Sequence, residues 1–229
     1  MRALSTTELL SVWERGCHQP PVQRALILLA AACPESPPEA LASLTIGQRD
    51  ARLLALRELT FGSAFTGLTH CPACDEKMEL AFNAAEILPE IETEIPNEFN
   101  LQLDGHALHF RLPTSTDLLG VKNRAQLVER CLTNGSSELP ETIIAIVAEK
   151  MSRADPLADV QLALSCSSCG HKWEAPFDIV AFFWSELNAF ASGLLREVHT
   201  LASVYGWTES EILALTPARR RCYLEMVTA

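Results

Sequence analysis

The chain has 229 residues, 48% of them hydrophobic, with eight cysteines and a formal net charge of −11. That hydrophobic share excludes an intrinsically disordered chain and is enough for a sizeable core. No apolar run reaches the roughly 18–20 residues that span a bilayer, and Met1-Arg2 leads into polar residues rather than an apolar signal core. A soluble protein of the cytoplasm is expected.

The charge is unevenly placed. Residues 1–74 carry six acidic and six basic side chains, residues 75–165 carry sixteen and seven, and residues 166–229 carry seven and five. A nucleic-acid binder usually presents a basic face. Here the one basic cluster is Arg219-Arg220-Arg221, so neither nucleic acid nor membrane is the expected partner, and protein is.

The first elements in chain order read as helices. Ser5-x-x-Glu8 is a capping-box pattern opening a short helix with Leu9, Leu10 and Trp13. Pro20-Pro21 precede an apolar helix over Val22 to Ala32, which Cys33-Pro34 stops. Pro37-Pro38 open a short turn to Leu44. Gly47 to Leu59 forms a helix with Leu53, Leu54 and Leu56 inside and Arg49, Arg52 and Arg57 toward polar surroundings.

Two later segments repeat each other. Cys71 to Phe82 reads CPACDEKMELAF and Cys166 to Phe177 reads CSSCGHKWEAPF, with five identities in twelve positions and no gap. After each second cysteine the chain must turn sharply, which suits Gly170 and is tolerated by Asp75. Lys77/Lys172 and Glu79/Glu174 then alternate with Met78/Trp173, the period of a half-buried strand. Asn83 and Asp178 follow as helix caps. Each unit therefore reads as half of a zinc ribbon, a strand, a knuckle and a strand. Four thiolates on two knuckles make the closed tetrahedral site that structural zinc prefers. Cys71, Cys74, Cys166 and Cys169 are the expected ligands of one Zn2+ ion. A thioredoxin-like redox pair belongs where a strand ends and a helix begins, whereas these pairs sit between strands. His70 and His171 flank the knuckles as alternative donors. Cys17, Cys33, Cys131 and Cys222 are expected to pack as small hydrophobes.

The two halves are separated by 91 residues. Within them Asn100 to Leu112 reads as a β-hairpin turning at Asp104-Gly105. Ser115 to Leu132 and Glu141 to Ala154 read as helices around a polar turn at Asn134-Gly135, and Asp155-Pro156 breaks the second. After the second knuckle Val180, Phe183, Leu187, Phe190, Leu194, Val198, Leu201 and Tyr205 form a long amphipathic stripe that Gly206 ends. Thr208-x-x-Glu211 is a second capping box, and Pro217 starts a last helix. The expected fold is mainly α with a small β zinc ribbon (α+β). Its parts are an N-terminal helical region over 1–66, a ribbon split between 67–83 and 161–178, an insertion over 84–160 and a C-terminal helical region over 179–229.

No catalytic pattern is present: no His-Glu-x-x-His, no His-x-Glu beside Pro-Cys-x-x-Cys, no phosphate loop, no Gly-x-Ser-x-Gly. An enzyme is not expected. Trp207, Arg219, Arg220, Arg221 and Tyr223 cluster in the C-terminal appendage, either as a partner-binding surface or as the wet face of helices folded back on the core.

Taken with the knuckles, GQRDARLLALRE and the ending LLREVHTLASVYGWTESEILALTPARRRCYLEMV carry a family resemblance. It rests on Glu197-Val198-His199, Tyr205-Gly206-Trp207, Ile212 to Leu215, Arg219-Arg220 and Tyr223-Leu224, and on FRLPTSTDLLGV from Phe110 to Val121. The chain resembles the baseplate hub assembly chaperone-like proteins of contractile-tailed phages and phage-tail-like contractile injection systems. The resemblance implies a non-enzymatic role beside baseplate or hub structural proteins, in the bacterial or phage-infected cytoplasm or in the assembled particle. The alternative is a zinc-ribbon regulator acting on nucleic acid or the transcription machinery. A redox or zinc enzyme is a third reading.

Overall fold

The structure, a computed structural model, describes residues 1–87, 96, 98–103, 106–134 and 139–228. Four helices come first: α1 (Thr6–Gly16), α2 (Pro21–Ala32), α3 (Pro38–Ala42) and α4 (Ile46–Phe61). The expected capping box closes α1, with the Ser5 hydroxyl accepting from the Glu8 N–H and the Glu8 carboxylate accepting from the Ser5 N–H. Proline at the first position starts α2 and α3, where its fixed φ fits and its missing N–H is not needed. Thr45 and Gln48 form a further capping box at α4.

A hairpin follows, β1 (Ala64–His70) with β2 (Lys77–Asn83), and then a short α5 (Ala84–Ile87). At Asn83 the expected cap is replaced by its converse: the Asn83 amide and backbone N–H donate to the Glu86 carboxylate. The intervening region holds the hairpin β3 (Phe99–Leu103) and β4 (His106–Phe110), then α6 (Arg124–Cys131) and α7 (Glu141–Ala154). The expected turn residues Asp104 and Gly105, and Gly135, lie outside the described residues. β5 (Val160–Ser165) and β6 (Lys172–Phe177) form the third hairpin. The chain ends with α8 (Ile179–Tyr205), α9 (Glu209–Ala214) and α10 (Pro217–Thr228).

The expected helix from Ser115 to Leu132 is shortened to α6. Burial disfavours the Asp117 charge, but its ion pair with Arg111 and the Thr114 N–H and hydroxyl outweigh that and hold its carboxyl at about 2. This locks a turn where a helix would need those groups elsewhere. Gly120 then adopts φ +74°, a left-handed break, before Asn123 caps α6 by accepting from the Gln126 N–H.

The main core lies between α8 and the helices α1, α2 and α4, filled by Leu28, Leu29, Leu53, Leu56, Phe183 and Leu187. A second core, built by Leu108, Phe110, Val128, Ile143 and Val147, belongs to the intervening region alone. That region docks on the first turn of α4. There the Ile46 N–H donates to the Pro113 carbonyl at 3.1 Å, and the Gly47 N–H donates to the buried Asp155 carboxylate at 2.9 Å. A carboxylate at a helix N-terminus is favoured by the free N–H groups there. Gly47 is required by the closeness of approach, since a Cβ would sit 1.8 Å from Asp155 Oδ1. Gly47→Ala is therefore expected to destabilise the protein by about 2–4 kcal/mol through overpacking and a lost charged hydrogen bond. Chemical denaturation checks it, and in an Asp155→Ala background the same change should cost much less.

Arg49 and Arg57 do not face polar surroundings as the sequence suggested; they are buried, and only Arg52 is exposed. Arg57 is 2% exposed and clamps Glu186 of α8 through two N–H···O bonds of 2.8 and 2.5 Å. It also donates to the carbonyls of Gly62 and Ala64 and lies 3.9 Å above the Phe65 ring. One side chain thus joins the end of α4, the start of β1 and α8. Arg49 pairs with Asp50 at 2.7 Å. Cys33 and Cys131 are buried as expected, while Cys17 is half-buried and Cys222 is exposed.

Candidate metal centre

The knuckles sit at the tips of the first and third hairpins, and their backbones are equivalent. The Cys71 N–H donates to the Glu76 carbonyl at 3.0 Å and the Asp75 N–H to the Cys71 carbonyl at 2.9 Å. The matching bonds from Cys166 to His171 and from Gly170 to Cys166 measure 2.8 and 2.9 Å. Asp75 and Gly170 take φ +60° and +72°, the left-handed turn that their place after the second cysteine required.

The four sulfurs converge crosswise. Cys71 Sγ lies 3.7 Å from Cys169 Sγ, and Cys74 Sγ lies 3.7 Å from Cys166 Sγ. All four fall within 4.8 Å of one another. A tetrahedral ion with metal–sulfur bonds of about 2.3 Å needs sulfur–sulfur edges of about 3.8 Å, so the donor set fits such an ion. The first cysteine of each knuckle is buried and the second is exposed, repeating the equivalence.

Electrostatics favour a cation here. The Cys169 N–H, aided by that of Ser168 and opposed by desolvation, brings the Cys166 thiol down to about 7. At Cys74 the Glu76 N–H favours the thiolate, but Cys169, desolvation, Cys71 and Cys166 together push the thiol up to about 12. Thiolates so close repel one another, and a dication between them removes that penalty. The flanking histidines stay out of the cluster. His70 Nδ1 lies 3.3 Å from the Asp75 carbonyl, and His171 stacks on Trp173.

Beneath the knuckles an aromatic layer holds the hairpins to the helices. Phe65, Phe82, Phe177 and Phe182 pack with ring centroids 5.1–6.1 Å apart. The Asp178 carboxylate accepts from the Val180 and Ala181 N–H groups, so the third hairpin runs directly into α8. Closing the centre therefore joins both ends of the 91-residue intervening segment to the main core.

The C-terminal residues form a separate cluster. Trp207 stacks on Tyr205 at 4.7 Å and meets Tyr223 edge-on at 4.9 Å, above a small core of Val198, Leu201 and Ile212. Arg220 is 4% exposed, paired with Glu197 at 3.0 Å and donating to the Leu215 carbonyl, so it faces inward. Arg219 and Arg221 are exposed, with Arg219 reaching the Tyr223 ring. The basic trio thus offers two outward cations, not three. The buried pairings of Arg57 and Arg220 carried no sequence signal, because their partners are distant in the chain or are backbone carbonyls.

Fold and site define an α+β protein whose four thiols can hold a metal ion. Residues 8–135 match the family described as T4 bacteriophage base plate protein, and the chain belongs to that family. The match covers FRLPTSTDLLGV and GQRDARLLALRE but ends before the C-terminal motifs. No curated protein and no solved structure matches the chain. Among the described residues no helix is long and apolar enough to cross a membrane.

Proposed function

We propose that this chain is a non-enzymatic assembly factor, a chaperone, adaptor or minor component, for the baseplate of a contractile phage tail or contractile injection system. Family membership over residues 8–135 carries the reading. We further propose that Cys71, Cys74, Cys166 and Cys169 bind one structural Zn2+. Zinc suits an all-thiolate tetrahedral set, and four protein ligands leave no open position for a substrate. Its contribution is to the fold, while the helices and the surface around Trp207, Tyr223, Arg219 and Arg221 meet protein partners. With Arg220 turned inward and a net charge of −11, phosphate contact by the arginine trio is disfavoured.

Co-expression with the neighbouring tail genes, followed by affinity purification, tests the role. A baseplate or hub protein is expected to co-purify in stoichiometric amount. If none does, and deleting the gene leaves intact particles, the reading fails.

A further inference from the structure

Among the described residues all three sheets are two-stranded, so each strand of the first and third hairpins has one edge outside its own ladder. Those four edges are not alike. In an antiparallel pair, successive residues alternate between turning their backbone N–H and C=O toward the partner strand and away from it. The Cys71–Glu76 bond fixes this alternation in the first hairpin, and the Cys166–His171 bond fixes it in the third.

The alternation turns Ala64, Thr66 and Leu68 outward on β1, and the Ala64 carbonyl is already taken by Arg57 at 2.8 Å. On β6 it turns Pro176 outward, and Pro176 has no N–H to offer. On β2 it turns Glu79 and Ala81 outward, and on β5 Gln161 and Ala163. Among the described residues none of these four has a backbone hydrogen-bond partner on that edge.

The edges of β2 and β5 belong to one groove. Leu80, Ala81 and Phe82 form one side and Gln161, Leu162, Ala163 and Leu164 the other, around a cavity of about 310 Å³. Both runs are consecutive, so the strand edges line the groove rather than one face of either hairpin. No ladder joins β2 to β5. Its apolar lining comes from the half-buried Leu80, Phe82, Leu162 and Leu164, and Glu86 lies at its side. Glu79 and Glu174 stand on the exposed faces of the same hairpins, with Lys77 and Lys172 on those faces nearer the knuckles.

We propose that this groove is a strand-addition site: an extended segment of another baseplate protein pairs with β2 and β5 at once and completes a five-stranded sheet. The main chain of both edges supplies the hydrogen bonds, and the pleat supplies selectivity. Every second side chain of the guest meets the leucines and Phe82, so it is apolar. The intervening side chains stand beside Glu79, Glu86 and Glu174, so lysine or arginine suits them. Like charge there would be repelled. The inference rests on the baseplate reading for the identity of the guest's source, but its chemistry is testable without it.

The probe is a peptide of about seven residues alternating valine and lysine, with a valine–glutamate peptide as control. Binding is read by fluorescence anisotropy and by amide hydrogen exchange on the full chain. The valine–lysine peptide should bind at least about tenfold more tightly than the control. It should protect the amides of Ala81 and Ala163, which should exchange freely without it. Ala81→Pro with Ala163→Pro removes the two outward N–H groups while sparing both ladders, as Pro176 does in β6, and should weaken binding at least about tenfold at unchanged metal content. A valine–lysine peptide N-methylated along one edge should lose binding to the unaltered protein. The proposal is overturned by absence of binding, by equal binding of both peptides, by prolines and N-methylation without effect, or by amides of Ala81 and Ala163 already protected in the free protein. Failure of the peptides while a baseplate protein still co-purifies would remove this site and leave the assembly role standing.

Discussion

Replacing Cys166 by serine is expected to unfold or aggregate the protein, not to yield a stable chain lacking metal. Structural zinc sites of this type carry apparent binding energies of about 10–16 kcal/mol, as large as the whole stability of a domain of about 5–15 kcal/mol. Loss of one ligand removes most of that energy and leaves three thiols crowded within the same few ångströms. The damage spreads because Cys166 closes the segment that leads into β6 and the cap of α8. Metal content per chain and size-exclusion chromatography give the readout. A soluble, monodisperse and zinc-free Cys166→Ser protein would contradict the account.

The second large effect is expected at Arg57. Arg57→Ala strips Glu186 of a bidentate partner and leaves the carbonyls of Gly62 and Ala64 without their donor. Breaking a buried ion pair from one side costs about 3–5 kcal/mol. Loss of the guanidinium stacked on Phe65 adds to this. The hairpin β1–β2 should loosen first, because its starting residue hangs on this side chain, and amide exchange in β1 reports that directly. A paired change, Arg57→Met with Glu186→Leu, should recover much of the stability, since no unpaired charge is then left buried. Equal destabilisation by the single and the paired change would show that the clamp acts by shape rather than by charge.

What the sequence made legible follows from how local the determinants are. The cysteine repeat was readable because twelve consecutive residues specify strand, knuckle and strand, and equal turns bring equal atoms to the tips. The capping boxes at Ser5 and Thr208, and Gly206 in its left-handed place after α8, depend on residues within one turn and were equally readable. The arginines were not. On a helix Arg49 and Arg57 read as polar surface, and Arg220 read as part of a basic cluster. Glu186 is 129 residues from Arg57, and nothing local announces that pairing. The shortened helix before α6 failed for a different reason. Asp117 serves Arg111 and Thr114 instead of a helical turn, a tertiary demand that overrides a favourable helical pattern. The docking of the intervening region on α4 was likewise hidden, since Gly47 reads as a poor helix residue until Asp155 is seen against it.

Joined at the knuckles and docked on the first turn of α4, the intervening region is tied to the main core at two places, and the thiol centre is the one that gathers both of its ends. X-ray absorption at the zinc edge on the purified protein tests that centre most directly. One zinc per chain, surrounded by four sulfurs at about 2.3 Å, is the result the account predicts. Nitrogen or oxygen in the first shell, two ions per chain or no bound metal in a folded protein would contradict it.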